Sequence, residues 1–224
     1  MATSTVEDYL KAILLEEHRD PDSLVTTGRI AAAIQVAPGT ATSMVKALAD
    51  SALLTYEPYS GVRLTDAGRQ LATHVLRRHR LVELFLVKVL AMNWSEVHDE
   101  AERLEHAISE NLLERIDDML GHPAVDPHGD PIPDASGQVE EPDLPSLAGC
   151  PLGKPFLVAR VRDQTPQFLR LVEKRGLKPG SRLVVEERDP AADLIELRLE
   201  EGGKITGRLS LGFRAAGKIL VEPV

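Results

Sequence analysis

The stretch that most constrains the fold runs from Thr65 to about Met92, where the sequence predicts one long helix. Thr65-Asp66 supplies a capping signal at its start. Its apolar residues are too numerous for one narrow stripe: Leu71, Val75, Leu81, Val82, Phe85, Leu86 and Val89. A helix this apolar must be buried on more than one side. We therefore expect it to contribute to a subunit interface, which predicts a homodimer.

Two polar stretches, on this helix and on the next, favour a metal site. His79 and Glu83 are four residues apart, and so are Glu102 and His106 on a helix predicted over residues 95–108. Four side chains of that second helix share about one third of its circumference: His98, Glu102, Glu105 and His106. Such dense carboxylates repel one another unless a cation lies among them, and mixed oxygen and nitrogen donors suit manganese, iron or zinc. One such pair alone would favour a solvated surface, but two consecutive helices favour a metal.

Upstream of the long helix, the pattern predicts a winged helix-turn-helix. A first helix, capped by Thr5, ends before Pro21-Asp22, and further helices are expected over residues 28–35 and 40–51. Strands at residues 53–57 and 62–64 would form the wing. The candidate DNA-contacting residues are basic, hydroxylated or aromatic: Arg29, Thr40, Ser43, Lys46, Tyr59 and Arg63. The alternative is a three-helix packing unit with no role in DNA binding.

The C-terminal third predicts a small β-barrel after a linker. From His122 to Pro155 the composition shifts to Pro, Gly, Asp and Ser, and only residues 126–133 are expected to be ordered. His122 and His128 are interpreted as solvated loop histidines. Beyond the linker, five strands and a helix at residues 166–175 indicate an SH3-like barrel, with the strands at residues 156–160, 182–187, 195–199, 204–210 and 218–222.

Composition narrows the class of protein. The net charge of −9 argues against indiscriminate nucleic-acid binding, so any DNA contact must come from a local patch. The single cysteine, Cys150, excludes an internal disulfide and fits a reducing cytosol. No run approaches the roughly 18 to 20 apolar residues of a membrane span, and no secretory signal opens the chain. We expect a cytoplasmic protein with no membrane partner.

Several motifs together resemble the diphtheria toxin repressor family of metal-dependent regulators, and in particular its manganese-responsive members. They are Glu7-Asp8-Tyr9-Leu10, Leu64-Thr65-Asp66-Ala67-Gly68, Arg78-His79-Arg80-Leu81 with Glu83, His98-Asp99-Glu100-Ala101 with Glu105-His106, and residues 126–133. The resemblance implies a mainly α fold with a β-rich C-terminal part. Its expected parts are a winged helix-turn-helix (1–64), a helical metal-binding and dimerisation domain (65–140), a linker (141–154) and an SH3-like, FeoA-like domain (155–224).

The same resemblance implies two metal sites. Four residues would form the primary site: Asp8, Glu102, Glu105 and His106. Three would form the ancillary site: His79, Glu83 and His98. In family members with the third domain, that domain completes the ancillary site, which points here to Gln167 and less directly to Asp163 or Gln164. Lys11 is a departure, because binuclear manganese regulators carry Glu there, so two separated sites are expected.

These expectations define a function. The iron-type members have Met and Cys where Asp8 and Glu102 stand, and carboxylates favour Mn²⁺, with Fe²⁺ possible and Zn²⁺, Co²⁺ or Cd²⁺ as substitutes in vitro. Metal would lock a dimer for binding a palindromic operator in double-stranded DNA, and so repress metal-uptake genes, with no small organic substrate. The alternatives are an iron-responsive regulator, a metallohydrolase, a ferritin-like carboxylate protein and a metal-independent DNA-binding protein.

Overall fold

The computed structural model describes residues 3–139 and 141–224, which divide into two compact units. Of the described residues, the first unit takes in 3–79, 104–109 and 133–139, and the second takes in 80–103, 110–132 and 141–224. In the described part of the chain, no helix is both long enough and apolar enough to cross a membrane.

The first unit is a winged helix-turn-helix, as predicted. Its elements are α1 (Ser4–Arg19), α2 (Thr27–Ala33), α3 (Pro38–Asp50), the antiparallel strands β1 (Leu54–Glu57) and β2 (Gly61–Leu64), and the first half of α4 (Asp66–Lys88). Thr26 caps α2, because its hydroxyl accepts a hydrogen bond from the Arg29 N–H. The N-cap of α1 is Thr3 and not Thr5, which is two residues later, since the Thr3 hydroxyl accepts a hydrogen bond from the Val6 N–H.

Apolar side chains from α1, α2, α3 and the hairpin form the core of this unit, and Leu10, Ile13, Ile30 and Val45 are almost wholly inaccessible. The wing is attached by a β-bridge between Val25 and Val62. Gly68 at the start of α4 allows the closest approach, because a Cβ there would lie 1.8 Å from the Leu53 carbonyl oxygen. The helix can therefore pack directly on the end of the hairpin.

Two helices in the middle of the chain end earlier than the sequence predicts. The long helix stops at Lys88 rather than Met92, and Ala91 has a left-handed backbone conformation with φ of 54°. The next helix, α5 (Val97–Leu104), also ends early, and α6 (Glu110–Leu120) follows it. Leu104 O accepts from the N–H groups of Ala107 and Ile108. The expected helix over residues 95–108 is therefore wrong in its last turn.

The C-terminal part forms the predicted small barrel. It contains β3 (Pro155–Val161), α7 (Pro166–Lys174), β4 (Arg182–Asp189), β5 (Leu194–Glu201), β6 (Lys204–Leu211), α8 (Phe213–Ala216) and β7 (Ile219–Pro223). All neighbours in the order β6-β5-β4-β3-β7 are antiparallel. Leu183, Ile195, Leu197 and Ile219 lie in its core, and Trp94 packs into the same cluster. The short helix α8 was not predicted.

The segment of residues 126–132 is buried against the rest of the second unit, although it has no regular secondary structure. Asp126 Oδ1 accepts from the N–H groups of His128 and Asp130, and His128 O accepts from the Val161 N–H of β3 at 2.8 Å. Gly129, with φ of 87°, allows close packing, because a Cβ there would lie 1.9 Å from the Ala159 carbonyl oxygen. This segment therefore fixes the position of His128.

Candidate metal centres

Asp8, Glu105 and His106 form the first candidate metal centre, in the first unit. Asp8 lies on α1, and the other two residues lie in the turn that follows α5. The Nε2 atom of His106 is 2.8 Å from Asp8 Oδ1 and 3.3 Å from Glu105 Oε1. Each of the three side chains offers a ligand atom within 4.8 Å of the others. The early end of α5 thus changes the expected geometry, because Glu105 and His106 meet Asp8 from a turn and not from a helix face.

Glu7 orients the imidazole from the opposite side and was missed at the sequence level. Its Oε2 atom lies 2.7 Å from His106 Nδ1, so this nitrogen donates to Glu7 and leaves Nε2 toward Asp8. Arg78 in turn donates to Glu7 Oε1 at 3.1 Å and to the Glu105 carbonyl at 3.3 Å. The adjacent acidic residues Glu7 and Asp8 were the available sequence signal. The contact itself could not be read from spacing, because Glu7 and His106 are 99 residues apart in sequence.

The carboxylates around His106 favour its protonated form when no metal is bound. Burial lowers the pKa of His106, but the hydrogen bonds to Glu7 and Asp8 and the charge of Glu105 outweigh it and raise the pKa above the usual value. A divalent cation at the same place would replace the Nε2 proton and receive the same carboxylates.

Glu105 is wholly buried and already has two close nitrogen partners. Lys11 Nζ lies 2.6 Å from Glu105 Oε1, and His79 Nδ1 lies 2.6 Å from Glu105 Oε2. Lys11 and His79 are each 6% exposed, whereas Glu105 is 0% exposed. An ammonium group therefore lies among the donors of the first centre, which is uncommon for a lysine because burying its charge is costly.

Glu83, Asp126 and His128 form a second cluster, in the second unit, and all three are buried. His128 Nε2 donates to the Trp94 carbonyl at 2.9 Å, and the two rings stack with centroids 5.4 Å apart. Nδ1 therefore carries the lone pair in the neutral ring and lies 3.6 Å from Glu83 Oε2. It has no hydrogen-bond partner among the described residues. A buried orphan nitrogen beside two carboxylates fits a divalent cation.

This cluster also holds protons when it holds no metal. Burial raises the pKa of Asp126, and the nearby carboxylates of Asp130 and Glu83 raise it further. Burial alone would lower the pKa of His128, but the carboxylate of Glu83, 3.6 Å from Nδ1, and the charge of Asp126 raise it to about 9. The interpretation of His128 as a solvated loop histidine is wrong, because its side chain is 1% exposed. The Asp126-Pro127-His128 spacing was the available signal.

His98 and Glu102 lie at the surface of the second unit. His98 Nδ1 lies 3.1 Å from Glu83 Oε1, and its Nε2 lies 3.6 Å from Glu102 Oε1, while the His98 side chain is 53% exposed. The structure thus brings His98 to Glu83 as predicted. His79 lies one helical turn before Glu83 on α4, in the part of that helix that belongs to the first unit.

Three residues of the barrel were predicted as metal ligands, and they lie outside both candidate metal centres. Asp163 pairs with Lys218 Nζ at 2.5 Å and accepts from Thr165. Gln164 donates to Asp130 Oδ2 at 2.5 Å. Gln167 is exposed on α7. Their assignment as metal ligands stays a prediction. The side chains of Asp163 and Gln164 interact with Lys218 and Asp130.

The DNA-contacting candidates divide into exposed and internally paired residues. Thr40, Ser43 and Lys46 are exposed and recur every third residue along α3, and Tyr59 is fully exposed at the tip of the wing. Two arginines are used within the unit instead. Arg29 pairs with Glu16 at 2.6 Å, and Arg63 donates to the carbonyls of Pro21 and Ser23. Arg29 and Arg63 could contact DNA only while keeping these interactions or after breaking them.

Comparison with known proteins identifies the parts of the chain. Residues 1–62 match the N-terminal DNA-binding domain of iron-dependent repressors, and residues 65–134 match the metal-binding and dimerisation domain of the same proteins. Residues 146–223 match the FeoA domain. The three matches follow one another along the chain in the order that the sequence predicted.

Individual relatives and a solved structure support the assignment made from these three domain matches. The iron-dependent repressor IdeR of Mycobacterium leprae is 33% identical over 204 residues, which cover 85% of this chain and 87% of the relative. The transcriptional regulator MntR of Bacillus pumilus is 34% identical over 122 residues, covering 54% of this chain and 81% of MntR. A manganese-dependent transcriptional repressor solved with manganese is 42% identical with a TM-score of 0.86, covering 98% of this chain and all of that one. The chain therefore belongs to the diphtheria toxin repressor family of metal-dependent transcriptional repressors.

Proposed function

We propose that this repressor responds to Mn²⁺ and that Asp8, Glu105 and His106 hold the ion in the first unit. The observation that carries the proposal is the convergence of His106 Nε2 on Asp8 Oδ1 and Glu105 Oε1, at 2.8 and 3.3 Å. A divalent cation at this point would replace the Nε2 proton of His106 among these carboxylates and would tie α1 to the turn at residues 105–107. Asp8 and His106 are 98 residues apart in sequence, so the link joins distant parts of the unit.

The choice of Mn²⁺ rests on the chemistry of the donors. Both clusters offer only carboxylate oxygens and imidazole nitrogens, and the single cysteine, Cys150, is buried in the core of the barrel. Oxygen-rich sets suit Mn²⁺, whereas thiolate and thioether donors favour softer ions. The 42% identical repressor solved with manganese supports the same choice, and IdeR, named as iron-dependent, supports Fe²⁺ as the second candidate.

We further propose a second site at Glu83, Asp126 and His128. The orphan Nδ1 of His128 and the two buried carboxylates support it. The exposed His98, next to Glu83, would lie at the edge of this site. Glu102 and His79 remain ligand predictions from the family resemblance.

DNA binding is assigned to the exposed face of α3. Thr40 and Ser43 would meet base edges or phosphates, and Lys46 would meet a phosphate. We propose that the functional form is a homodimer that binds a palindromic operator upstream of metal-uptake genes. Metal binding would fix α1 against the turn at residues 105–107 and so restrict the motion of the unit that carries α3. Less conformational entropy is then lost when DNA binds, which raises the affinity for DNA.

The deciding experiment is DNA binding by chelator-treated protein on its own upstream region. Mn²⁺, anaerobic Fe²⁺, Zn²⁺ and no metal are compared at fixed salt, because salt alone changes the apparent affinity. Retention of DNA with Mn²⁺ and weak retention with Fe²⁺ is the expected result. Asp8→Ala should abolish the stimulation, and unchanged stimulation in that variant would overturn the assignment of the first site.

Two other results would contradict the proposal of a manganese-responsive repressor. An equal or stronger response to Fe²⁺ would make the protein an iron-responsive repressor. DNA binding that ignores every metal would contradict metal control, and the protein would then be tested for metal-dependent hydrolysis. The relatives described above are named as repressors or regulators, which supports a function in transcription and not in catalysis.

A further inference from the structure

We propose that Glu17 is a positioning residue, through which a metal ion at the first site orders the wing for DNA binding. The wing comprises β1, β2 and the turn between them, residues 54–64. This inference rests on the proposed function, because it starts from an ion held by Asp8. It adds an effect on the wing to the effect on the unit that carries α3.

Glu17 and Asp8 lie on opposite faces of α1. They are nine residues apart in one continuous helix, Ser4–Arg19, which corresponds to about 14 Å along the axis and about two and a half turns around it. The hydrogen-bonded backbone between them moves as one body. A restraint on Asp8 at one face is therefore transmitted to Glu17 at the other.

The Glu17 carboxylate joins α1 to the end of the wing. Its Oε1 atom accepts a hydrogen bond from the Leu64 N–H at 2.8 Å, and its Oε2 atom accepts one from the Arg69 guanidinium. Leu64 is the last residue of β2, and Arg69 lies in the first turn of α4. The carboxylate thus contacts the junction at which the wing continues into α4.

Burial decides which of these two contacts matters more. The Glu17 side chain is 4% exposed, whereas that of Arg69 is 43% exposed. An ion pair with an exposed arginine contributes little, since water solvates the guanidinium when the pair opens. Leu64 is buried, and a buried N–H group that loses its acceptor destabilises the folded state. The hydrogen bond to Leu64 is therefore the stronger attachment of β2 to Glu17.

Other polar attachments of the wing lead to the loop after α1. Val25 in that loop and Val62 in β2 exchange two backbone hydrogen bonds, of 3.0 and 2.9 Å. Arg63 donates to two carbonyl groups of the same loop. Glu17 differs from these residues because it belongs to the helix that carries Asp8. It is a direct polar contact between that helix and the wing.

The arrangement predicts how an ion would act on the wing. Fixing α1 at Asp8 would restrain β2 through the hydrogen bond to Leu64. Fewer wing conformations would then have to be ordered when DNA binds, so the affinity for DNA would rise. Removing the Glu17 acceptor would leave the metal ligands in place and separate metal binding from DNA binding. A residue that only stabilises the fold would not have this effect.

The first test measures metal binding and DNA binding separately in the full chain. Glu17→Met removes the acceptor at similar side-chain length, Glu17→Gln keeps an oxygen for the Leu64 N–H, and Arg69→Met removes the exposed partner. Glu17→Met should bind Mn²⁺ no more weakly than the wild type in calorimetry. Its stimulation of DNA binding by Mn²⁺, measured at fixed salt, should fall about tenfold. Glu17→Gln and Arg69→Met should keep most of the stimulation.

Hydrogen exchange of the backbone amides is a second test that needs no DNA. In the wild type, Mn²⁺ should slow exchange in the wing, although the proposed ligands Asp8, Glu105 and His106 lie outside it. In Glu17→Met, the protection should persist on α1 and disappear from the wing. Glu17→Asp, which withdraws the carboxylate by one methylene, replaces Glu17→Met if the latter does not fold.

Ile13→Val is the control for stability. Ile13 lies on the same helix and is 0% exposed, so this variant should lower Tm through a small cavity while removing no hydrogen bond. It should keep both the stimulation of DNA binding and the protection of the wing. An equal loss of stimulation in Ile13→Val and Glu17→Met would overturn the inference, since lower stability would then explain both.

Full stimulation in Glu17→Met, with the wing still protected by Mn²⁺, would also overturn the inference. Failure of the proposed function is recognised through Asp8→Ala. If Mn²⁺ protects the wild type and Asp8→Ala equally, the first metal site is wrong, and the role of Glu17 falls with it. If protection of the wing depends on Asp8 and not on Glu17, only the inference is wrong.

Discussion

Glu7 Oε2 lies 2.7 Å from His106 Nδ1, on the side of the imidazole ring opposite the nitrogen that faces Asp8. A ring held in this way presents Nε2 in one orientation, and the carboxylate makes the imidazole a stronger electron donor. Arg78 holds Glu7 in turn, at 3.1 Å. The neighbouring residues Glu7 and Asp8 therefore contact the two nitrogens of one histidine.

Glu7→Ala should weaken Mn²⁺ binding at the first site without removing a ligand. The loss should be about 10- to 100-fold, because the ring loses its fixed orientation and tautomer. Isothermal titration of chelator-treated protein measures it, with the exposed Glu114→Ala as the control. Wild-type affinity in Glu7→Ala would show that Glu7 serves only the fold.

Gly129→Ala should destabilise the second unit strongly. The new Cβ would lie 1.9 Å from the Ala159 carbonyl oxygen, and the left-handed backbone adds its own strain. We expect a loss of about 2 kcal/mol or more in the free energy of unfolding, measured in urea. Gly153→Ala is the matched control, since its φ of 70° is similar but nothing lies within 4 Å of its Cβ. Equal losses in both variants would contradict the packing argument.

The metal-free protein should lose the stability that this cluster contributes as the pH rises from about 4, where Asp126 titrates in the unfolded chain, to about 9, where His128 loses its proton in the folded protein. The raised pKa values of Asp126 and His128 mean that the folded state binds more protons than the unfolded state. The His128 contribution is complete below its unfolded pKa of about 6.5 and is lost as the pH passes about 9. We expect Tm to fall by about 5 °C more than in an Asp126→Asn, His128→Gln variant. A parallel pH dependence in the two proteins would refute the prediction.

Lys46→Ala should weaken DNA binding without affecting stability, because its side chain is exposed on α3. The loss of one phosphate contact should lower the slope of log affinity against log salt by about 1. Arg29→Ala should behave differently and lower Tm, since Arg29 pairs with the buried carboxylate of Glu16 at 2.6 Å. DNA titrations at several salt concentrations and a thermal melt separate the two effects. A wild-type salt slope in Lys46→Ala would remove Lys46 from the DNA surface.

The fold was largely predictable because its signals are local. Caps, turns and apolar periodicity placed the winged helix-turn-helix and all five barrel strands, with bounds that differ by one or two residues. The error in α5 arose because periodicity continues through Glu105 and His106 while the chain turns after Leu104. The prediction that Glu105 and His106 lie on a helix face was therefore wrong, although both residues do lie close to Asp8.

The candidate site was only partly predictable because its contacts are distant in sequence. Lys11 meets Glu105 across 94 residues, and Glu7 meets His106 across 99. Sequence spacing reports neighbours on one helix and carries no information on such pairs. His128 illustrates the same limit, since its burial depends on β3 and Trp94, which no local pattern connects to residue 128.

Because Gly129 packs closely on Ala159, the two candidate metal centres differ in how readily they could be transferred to another protein. The first centre is made of side chains that precede residue 110, so grafting it onto a shorter regulator requires nothing from the barrel. The second centre relies on β3, which supplies the Val161 N–H to His128 O and the close surface beneath Gly129. A chimaera that exchanges the barrel alone would leave residues 126–132 facing a foreign strand. Recombination among relatives should therefore transfer that segment and β3 together.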